Sequence, residues 1–469
     1  MKVAIMKTRW ITLFAIVGAF TAGFAQEESG FSFEDDFSWS EESESSNPSI
    51  SISGDLKYDN RIYTTLDGQP VEDLPDLHLN FSKAFTGSQF SATLRLDSYE
   101  QRPLFDEAWM RVMGENWELK LGKMRHIWGQ GDRVHVVDHF NARDYLDPTD
   151  FEYLDNLIAQ SMIIAQWLPG GGTRNMLLEA IYTPEFLPHR YAMEGYWVSP
   201  EFGLLTQKMM NYALLTGGTA SMSYMEEQYN AFKDGQFGLR WLQTIGGADL
   251  GVSWYHGLLR ESPTVTTIID PTWDGTPGTF PNLTLQLGYE PLDVFGLEGA
   301  FGLPFGFGGR MEMAYWQTED SEGDDPEARN PSFNYILGVD RSLPIHNMSI
   351  NLQVKGTQLL ARDDLDVVHT NALGIPFNDI DYRADGYYGR HMVMLFLDDS
   401  FRYQTINPGI IVAANLETED YLLVGELELS LTDEVDLCLR YKHIEGDAGT
   451  QLGDFKDNDH ISIQATYHF

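Results

Sequence analysis

The chain has 469 residues, with 31 Lys and Arg against 70 Asp and Glu, for a formal charge of −39. That balance disfavours nucleic-acid binding, which needs clustered basic surface. A single cysteine, Cys438, excludes an intramolecular disulfide, so no covalent staple supports the fold.

Lys2, Lys7 and Arg9 precede an apolar run from Ile11 to Ala22, and Gly23 and Ala25 are the small residues a signal peptidase reads. Residues 1–25 are therefore expected to be a secretory signal peptide. The alternative, an uncleaved anchor helix, is short of the roughly 20 residues a membrane span needs. No later apolar run is long enough for a transmembrane helix, which leaves periplasm, medium or outer membrane for the exported chain. Residues 26–49 contain the acidic, Ser-rich stretch Glu27 to Ser49 and read as a disordered periplasmic tail. The rival reading of that tail is a docking strip for a periplasmic partner.

From residue 50 onward a strand-turn rhythm dominates. Leu77, Leu79 and Phe81 share one face of a strand, as do Phe90, Ala92, Leu94 and Leu96 of the next, with Thr93, Arg95 and Asp97 opposite. Trp117, Leu119 and Leu121 alternate with Glu118 and Lys120. "KAFTGS" and "GEN" are short connections expected on the periplasmic side, and "TTLDGQPVEDLPD" is expected outside. Further strand candidates are "SMIIAQW", "MLLEAIYT", "FGLRWLQT", "ADLGVSWYH", "LTLQLGYE", "RMEMAYWQ", "FNYILGVD" and "MSINLQVKG". Arg95, Lys120, Glu426, Arg440 and Lys442 would suit a wet lumen. Trp117, Trp167, Trp254, Trp316 and Tyr421 would suit an interfacial girdle.

Met124 to Leu157 breaks the alternation, and at about 34 residues it exceeds ordinary loop lengths. Trp128, Val134, Val136, Val137, Phe140 and Tyr145 give it too much apolar surface for a solvated loop, so it is expected to pack into a nearby lumen. Gly129 and Gly131 flank Gln130 and permit a tight turn. Asp132, Arg133, Asp138, Arg143 and Asp144 could form an inward ladder of charge that sets permeant selectivity, the alternative being ion pairs that only hold the loop. In "LDPTDFEYL", Asp147 as N-cap and Pro148 at the first helical position predict a helix start.

The stretch "LGKMRHIWGQGDRVHVVDHFNARDYLD", Leu121 to Asp147, resembles a segment of a poorly characterised group of outer-membrane barrels. In that group a strand end of the form G-(K/R)-x-x-x-x-WG-x-G-D leads to an N-P-x-D element, and the genes often neighbour RND-type exporters or lipid transporters. Gly122, Trp128, Gly129, Gly131, Asp132, Asn141 and Asp144 carry the match; Ala142 and Arg143 depart from it. The resemblance implies passage of a solute, hydrophobic or lipid-like, with a periplasmic or inner-membrane transporter as partner. It transfers no catalytic residue.

His126, His135 and His139 invite a metal reading but match no ligand spacing, and lone polar histidines are the simpler account. "EDSEGDDPE" (Glu319 to Glu327) could offer oxygens to calcium, yet it lacks EF-hand spacing and reads as a solvated acidic loop. No G-x-S-x-G elbow is present, so an outer-membrane hydrolase is a rival without a nucleophile motif.

The carboxy-terminal part carries the clearest pattern. Tyr421, Leu423, Leu427, Leu429 and Leu431 oppose Glu426, Glu428 and Ser430; after "TDE", Val435, Leu437, Leu439 and Tyr441 oppose Asp436, Arg440 and Lys442. A three-residue turn there predicts Leu431 facing Val435, Leu429 facing Leu437, and Glu426 facing Arg440. The final strand, with Ile461, Ile463, Ala465, Tyr467 and Phe469 on one face, resembles the β-signal of outer-membrane proteins, which makes Tyr467 and Phe469 the assembly signal read by the barrel assembly machinery.

These features predict an all-β protein: a transmembrane antiparallel β-barrel of the outer-membrane type over residues 50–469, with 14–18 strands, 16 as the central value, and an inward-folded loop. The expected setting is the outer membrane of a Gram-negative-type bacterium, in contact with outer-membrane lipid. The expected role is solute passage without enzymatic activity, cofactor or metal. Trp128–Asp155 would be plug or constriction, and Trp128, Gln130, Asp132, Arg133, Asp138, Asn141, Arg143 and Asp144 would line the path. A structural or adhesive surface barrel is the alternative.

Overall fold

A computed structural model describes residues 50–97, 102–150, 156–170, 175–198, 200–224, 235–261, 264–370, 376–382 and 386–469. The expected signal peptide and acidic tail, residues 1–49, lie outside these.

Eighteen strands pair antiparallel with their neighbours, and the last pairs with the first, so the sheet closes on itself. In chain order they are β1 Ser51–Tyr63, β2 Val71–Phe85, β3 Ser88–Asp97, β4 Arg102–Met113, β5 Trp117–Met124, β6 Gln160–Trp167, β7 Met176–Thr183, β8 Gln236–Ile245 and β9 Ala248–Leu258. The second half comprises β10 Pro291–Leu303, β11 Phe307–Thr318, β12 Ser332–Ser342, β13 Ser349–Leu359, β14 Gly389–Asp398, β15 Ile406–Asn415, β16 Tyr421–Thr432, β17 Val435–Glu445 and β18 His460–His468. Closure leaves no unpaired edge, which lets strands cross hydrocarbon without orphaned peptide groups. Among the described residues no helix is long and apolar enough to cross a membrane.

One end of the barrel has tight turns, such as Gly246-Gly247, both in the left-handed region that a two-residue hairpin turn requires. The other end carries the long connections, including residues 184–235 with helix α1 (Pro200–Thr216). Short periplasmic turns and long extracellular loops are the arrangement of outer-membrane barrels. Outward residues such as Leu56, Ile62, Ile461, Ile463 and Tyr467 are exposed on the wall, an apolar belt that only lipid can cover. The barrel therefore belongs in an outer membrane.

The count is 18, not 16. Five strands escaped the alternation reading: β1, β4, β10, β14 and β15. Conversely, "LTLQLGYE" is not in the wall. Leu283–Gly288 pairs with Thr264–Ile269 and Ala220–Tyr224 in a separate loop sheet, where Leu283 and Leu287 are buried. In "TTLDGQPVEDLPD" only residues 64–70 connect strands, because Val71 to Asp76 already belong to β2.

The β16–β17 hairpin places Glu426 opposite Arg440 and Leu429 opposite Leu437, as the pattern predicts. Leu431 does not face Val435. A bulge lies between Ser430 and Thr432, Thr432 pairs with Val435, and the turn shrinks to Asp433-Glu434. Arg440 Nε donates to Glu426 Oε2 at 2.6 Å. Trp316 also departs from the expected girdle: it shares the inward face of β11 with Glu312 and Ala314 and packs on the lumenal core.

Candidate functional site

The chain leaving β5 turns into the barrel and crosses it. Trp128 is fully buried and donates its indole N–H to Glu179 Oε1 on β7 at 2.6 Å. Its ring meets Phe140 edge-on, with centroids 4.9 Å apart. Both rings rest on β8 where Gly238 points inward, and a Cβ there would overlap them. Val137 seats against Gly296 of β10 in the same way. The wall is thus cut back by glycine where the segment's apolar groups press on it.

Past Gly129, whose φ of +123° favours glycine, the segment reaches the far wall. The fully buried carboxylate of Glu312 on β11 accepts three hydrogen bonds. Gly131 N–H lies at 2.6 Å, Val136 N–H at 2.8 Å and His135 Nδ1 at 2.7 Å. On β13, Gln353 donates to the Asp132 carbonyl at 2.6 Å and accepts the Asp132 N–H at 3.2 Å, while Asn351 donates to the Asp132 carboxylate at 2.6 Å. Arg133 lies over the Phe396 ring of β14, 4.9 Å from its centroid. Arg310 donates to the Gln130 carbonyl at 3.4 Å. In a ring of 18 strands, β13 and β14 stand eight and nine strands from β5, so the segment spans the lumen from wall to wall.

The return path is fixed from the extracellular side. The guanidinium of Arg260, 5% exposed, donates to the carbonyls of Leu187, His139 and Phe140 and to the side-chain amides of Gln160 and Gln236. Asn141 ties the segment's two ends by bonding both backbone groups of His126. Arg143 donates its backbone N–H to His189 Nδ1 at 2.9 Å, and Asp144 pairs with Arg190. Asp138 is buried beside Arg260 and Tyr255. The charges expected as one inward ladder therefore divide, Asp132 and Arg133 to the far wall and Arg143 and Asp144 to the extracellular layer.

Asp147 starts no helix among the described residues. Its carboxylate closes a turn on Thr149 and pairs with Arg61 at 2.7 Å and Lys442 at 3.0 Å. Burial alone would raise this carboxyl, but the two cations hold it far below the usual range. Residues 151–155, the end of the expected constriction, lie outside the described residues. The three histidines go to separate partners: His126 to Glu179, His135 to Glu312 and His139 to the Val136 carbonyl. In the acidic loop, Asp320 turns its carboxylate onto the backbone N–H groups of Gly323, Asp324 and Asp325.

Burial, with Arg260 and Arg143 adding repulsion, lowers His139 to about 3. The neutral ring is the one that fits, so its folded value lies below the ordinary 6.5. The folded chain then binds fewer protons than the unfolded one between those values, and stability falls as pH drops through that window. Protease protection of the segment should therefore weaken as pH falls from about 6.5 toward 3, and His139→Gln should flatten the profile. A wild-type profile that is already flat would remove this role for His139.

Sequence reasoning missed Glu312, Asn351, Gln353, Glu179 and Arg260. The first four are inward polar positions on strands whose alternation was readable; the signal was a carboxamide or carboxylate on the lumen side. Arg260 follows a strand end and carries no such mark.

No protein-family model and no curated protein matches this chain. Solved outer-membrane barrels resemble it at low identity. Salmonella typhi OmpF in complex with daunomycin is 8% identical, with 90% of this chain and 97% of that one covered at a TM-score of 0.40. Pseudomonas aeruginosa OccK5 (OpdH) is 10% identical over 90% and 97%, with a TM-score of 0.46. Wzi of Escherichia coli, a carbohydrate-binding β-barrel involved in group 1 capsule assembly, is 12% identical over 89% and 84%, with a TM-score of 0.45.

Proposed function

We propose that this barrel passes a small solute across the outer membrane and that Trp128–Asp155 narrows the passage. A barrel of about 16–18 strands encloses more space than its wall side chains fill. The observation that carries the reading is the crossing itself: pinning of the segment to β7 at one side and to β11 and β13 at the other supports a narrowed lumen. Its surroundings mix apolar groups, such as Met394 and Phe396, with charge. That mixture fits a solute with an apolar part, in line with the hydrophobic or lipid-like class implied by the segment's resemblance. A periplasmic or inner-membrane transporter would then be the partner that delivers or receives it.

Planar-bilayer conductance of the purified barrel tests this, with and without residues 128–155. Low conductance that rises sharply on deletion is expected. Gly238→Val, whose Cβ would push against Trp128 and Phe140, provides a second, full-length variant and should raise conductance in the same direction. Equal conductance in all three would favour the surface-barrel reading, in which the segment only braces the wall.

A further inference from the structure

The protein as a whole is strongly acidic, yet the extracellular side of the crossing segment is a place of positive charge. Arg260 is buried there, and every hydrogen bond that its guanidinium makes ends on a neutral oxygen; among the described residues the carboxylate acting on it is Asp138, from beyond hydrogen-bonding distance. Arg143 lies in the same layer, within electrostatic reach of His139, His189 and Lys355. Burial and these two guanidinium groups keep His139 and His189 neutral, the response of imidazoles to a positive surrounding.

Lys355 completes the set. The register of β13 against β12 and β14 puts it on the inward face with Gln353, one inward position nearer the extracellular end than the residue that holds Asp132. It is partly exposed, so water and solute can reach it. Among the described residues its ammonium has no hydrogen bond and no ion pair. Glu261 and Glu312 act on it only at longer range, and Glu312 is already committed to His135 and two backbone N–H groups.

We propose that Lys355, backed by Arg143 and Arg260, forms an anion-binding subsite at the extracellular face of the constriction, and that the permeant solute carries a carboxylate or phosphate group. The assignment rests on the passage proposed above. The local charge at this point is thus opposite in sign to the formal charge of −39 carried by the whole chain. A ring or pair of fixed cations at a narrow point selects anions.

The test is the reversal potential of the purified full-length barrel in a KCl gradient, for wild type, Lys355→Gln and Lys355→Arg. Heat-modifiable gel migration confirms folding of each. Wild type should prefer chloride, Lys355→Gln should lose that preference by several-fold, and Lys355→Arg should retain it. Acetate or inorganic phosphate, added separately, should compete with chloride in wild type and less in Lys355→Gln; the stronger competitor tells carboxylate from phosphate. Cation preference in wild type, an unchanged ratio in Lys355→Gln, or competition by neither anion overturns the subsite while leaving passage intact. Absence of current in every variant, including the barrel without residues 128–155, overturns passage and subsite together.

Discussion

Glu312→Ala is expected to unseat the far end of the crossing segment while leaving the barrel closed. The carboxylate is wholly buried and is the common acceptor for Gly131, His135 and Val136, so its loss strands three donors at once. Leaving a buried donor without its acceptor costs about 1–3 kcal/mol, and three lost together are enough to free a turn otherwise held by Gln353 and Asn351. The wall itself is insulated, because β11 keeps its backbone ladders to β10 and β12. Limited proteolysis within residues 129–141 should accelerate, and bilayer conductance should rise with larger fluctuations. Glu312→Gln retains one acceptor oxygen and should fall between. Unaltered cleavage and conductance in the alanine variant would mean that the seat is held elsewhere.

The second large effect is expected at the seam. Phe469 exchanges both backbone hydrogen bonds with Gly54, at 2.8 and 2.9 Å, and its ring lies over that glycine. Tyr467 faces Leu56 across the same seam and stacks on Phe469, with ring centroids 6.0 Å apart. Replacing Tyr467 and Phe469 together with Ser should sharply lower outer-membrane levels while secretion into the periplasm continues. Gly54→Val should do the same with both aromatics intact, since its side chain would press on the His78 carbonyl of β2 and displace the Phe469 ring. Normal membrane levels of the double variant would dissociate these aromatics from assembly.

How much of this was legible depended on what each strand's inner face touches. Where the lumen is wet, as at Arg95, Glu426 and Arg440, inner residues are charged and the period of two is plain. Where the segment presses on the wall, the inner residues are apolar too: Leu292 and Val294 on β10, Met394 and Phe396 on β14, Ala413 on β15. Both faces then read alike, and three strands vanish from the pattern. β4 was hidden differently, by the irregularity opposite Thr93 and Leu94 that shifts its phase. The inward loop was thus readable from its own apolar content, yet its seats were masked by the very packing it creates. The partners of Asp132 and Gly131 lie 221 and 181 residues away, beyond any local signal.

Those separations also impose an order on how the molecule comes to be. Gly131 and Asp132 are made long before Glu312 and Gln353, so during synthesis and insertion the far end of the segment has nothing to dock on. Its seats come together only when β11 to β14 stand opposite β5, which requires the wall to be largely assembled. Contacts of such long range form late. The nascent barrel therefore passes through a stage in which the far half of its interior is unbraced, and the seating of Gly131 and Asp132 on β11 and β13 marks the end of maturation, after the strands have paired.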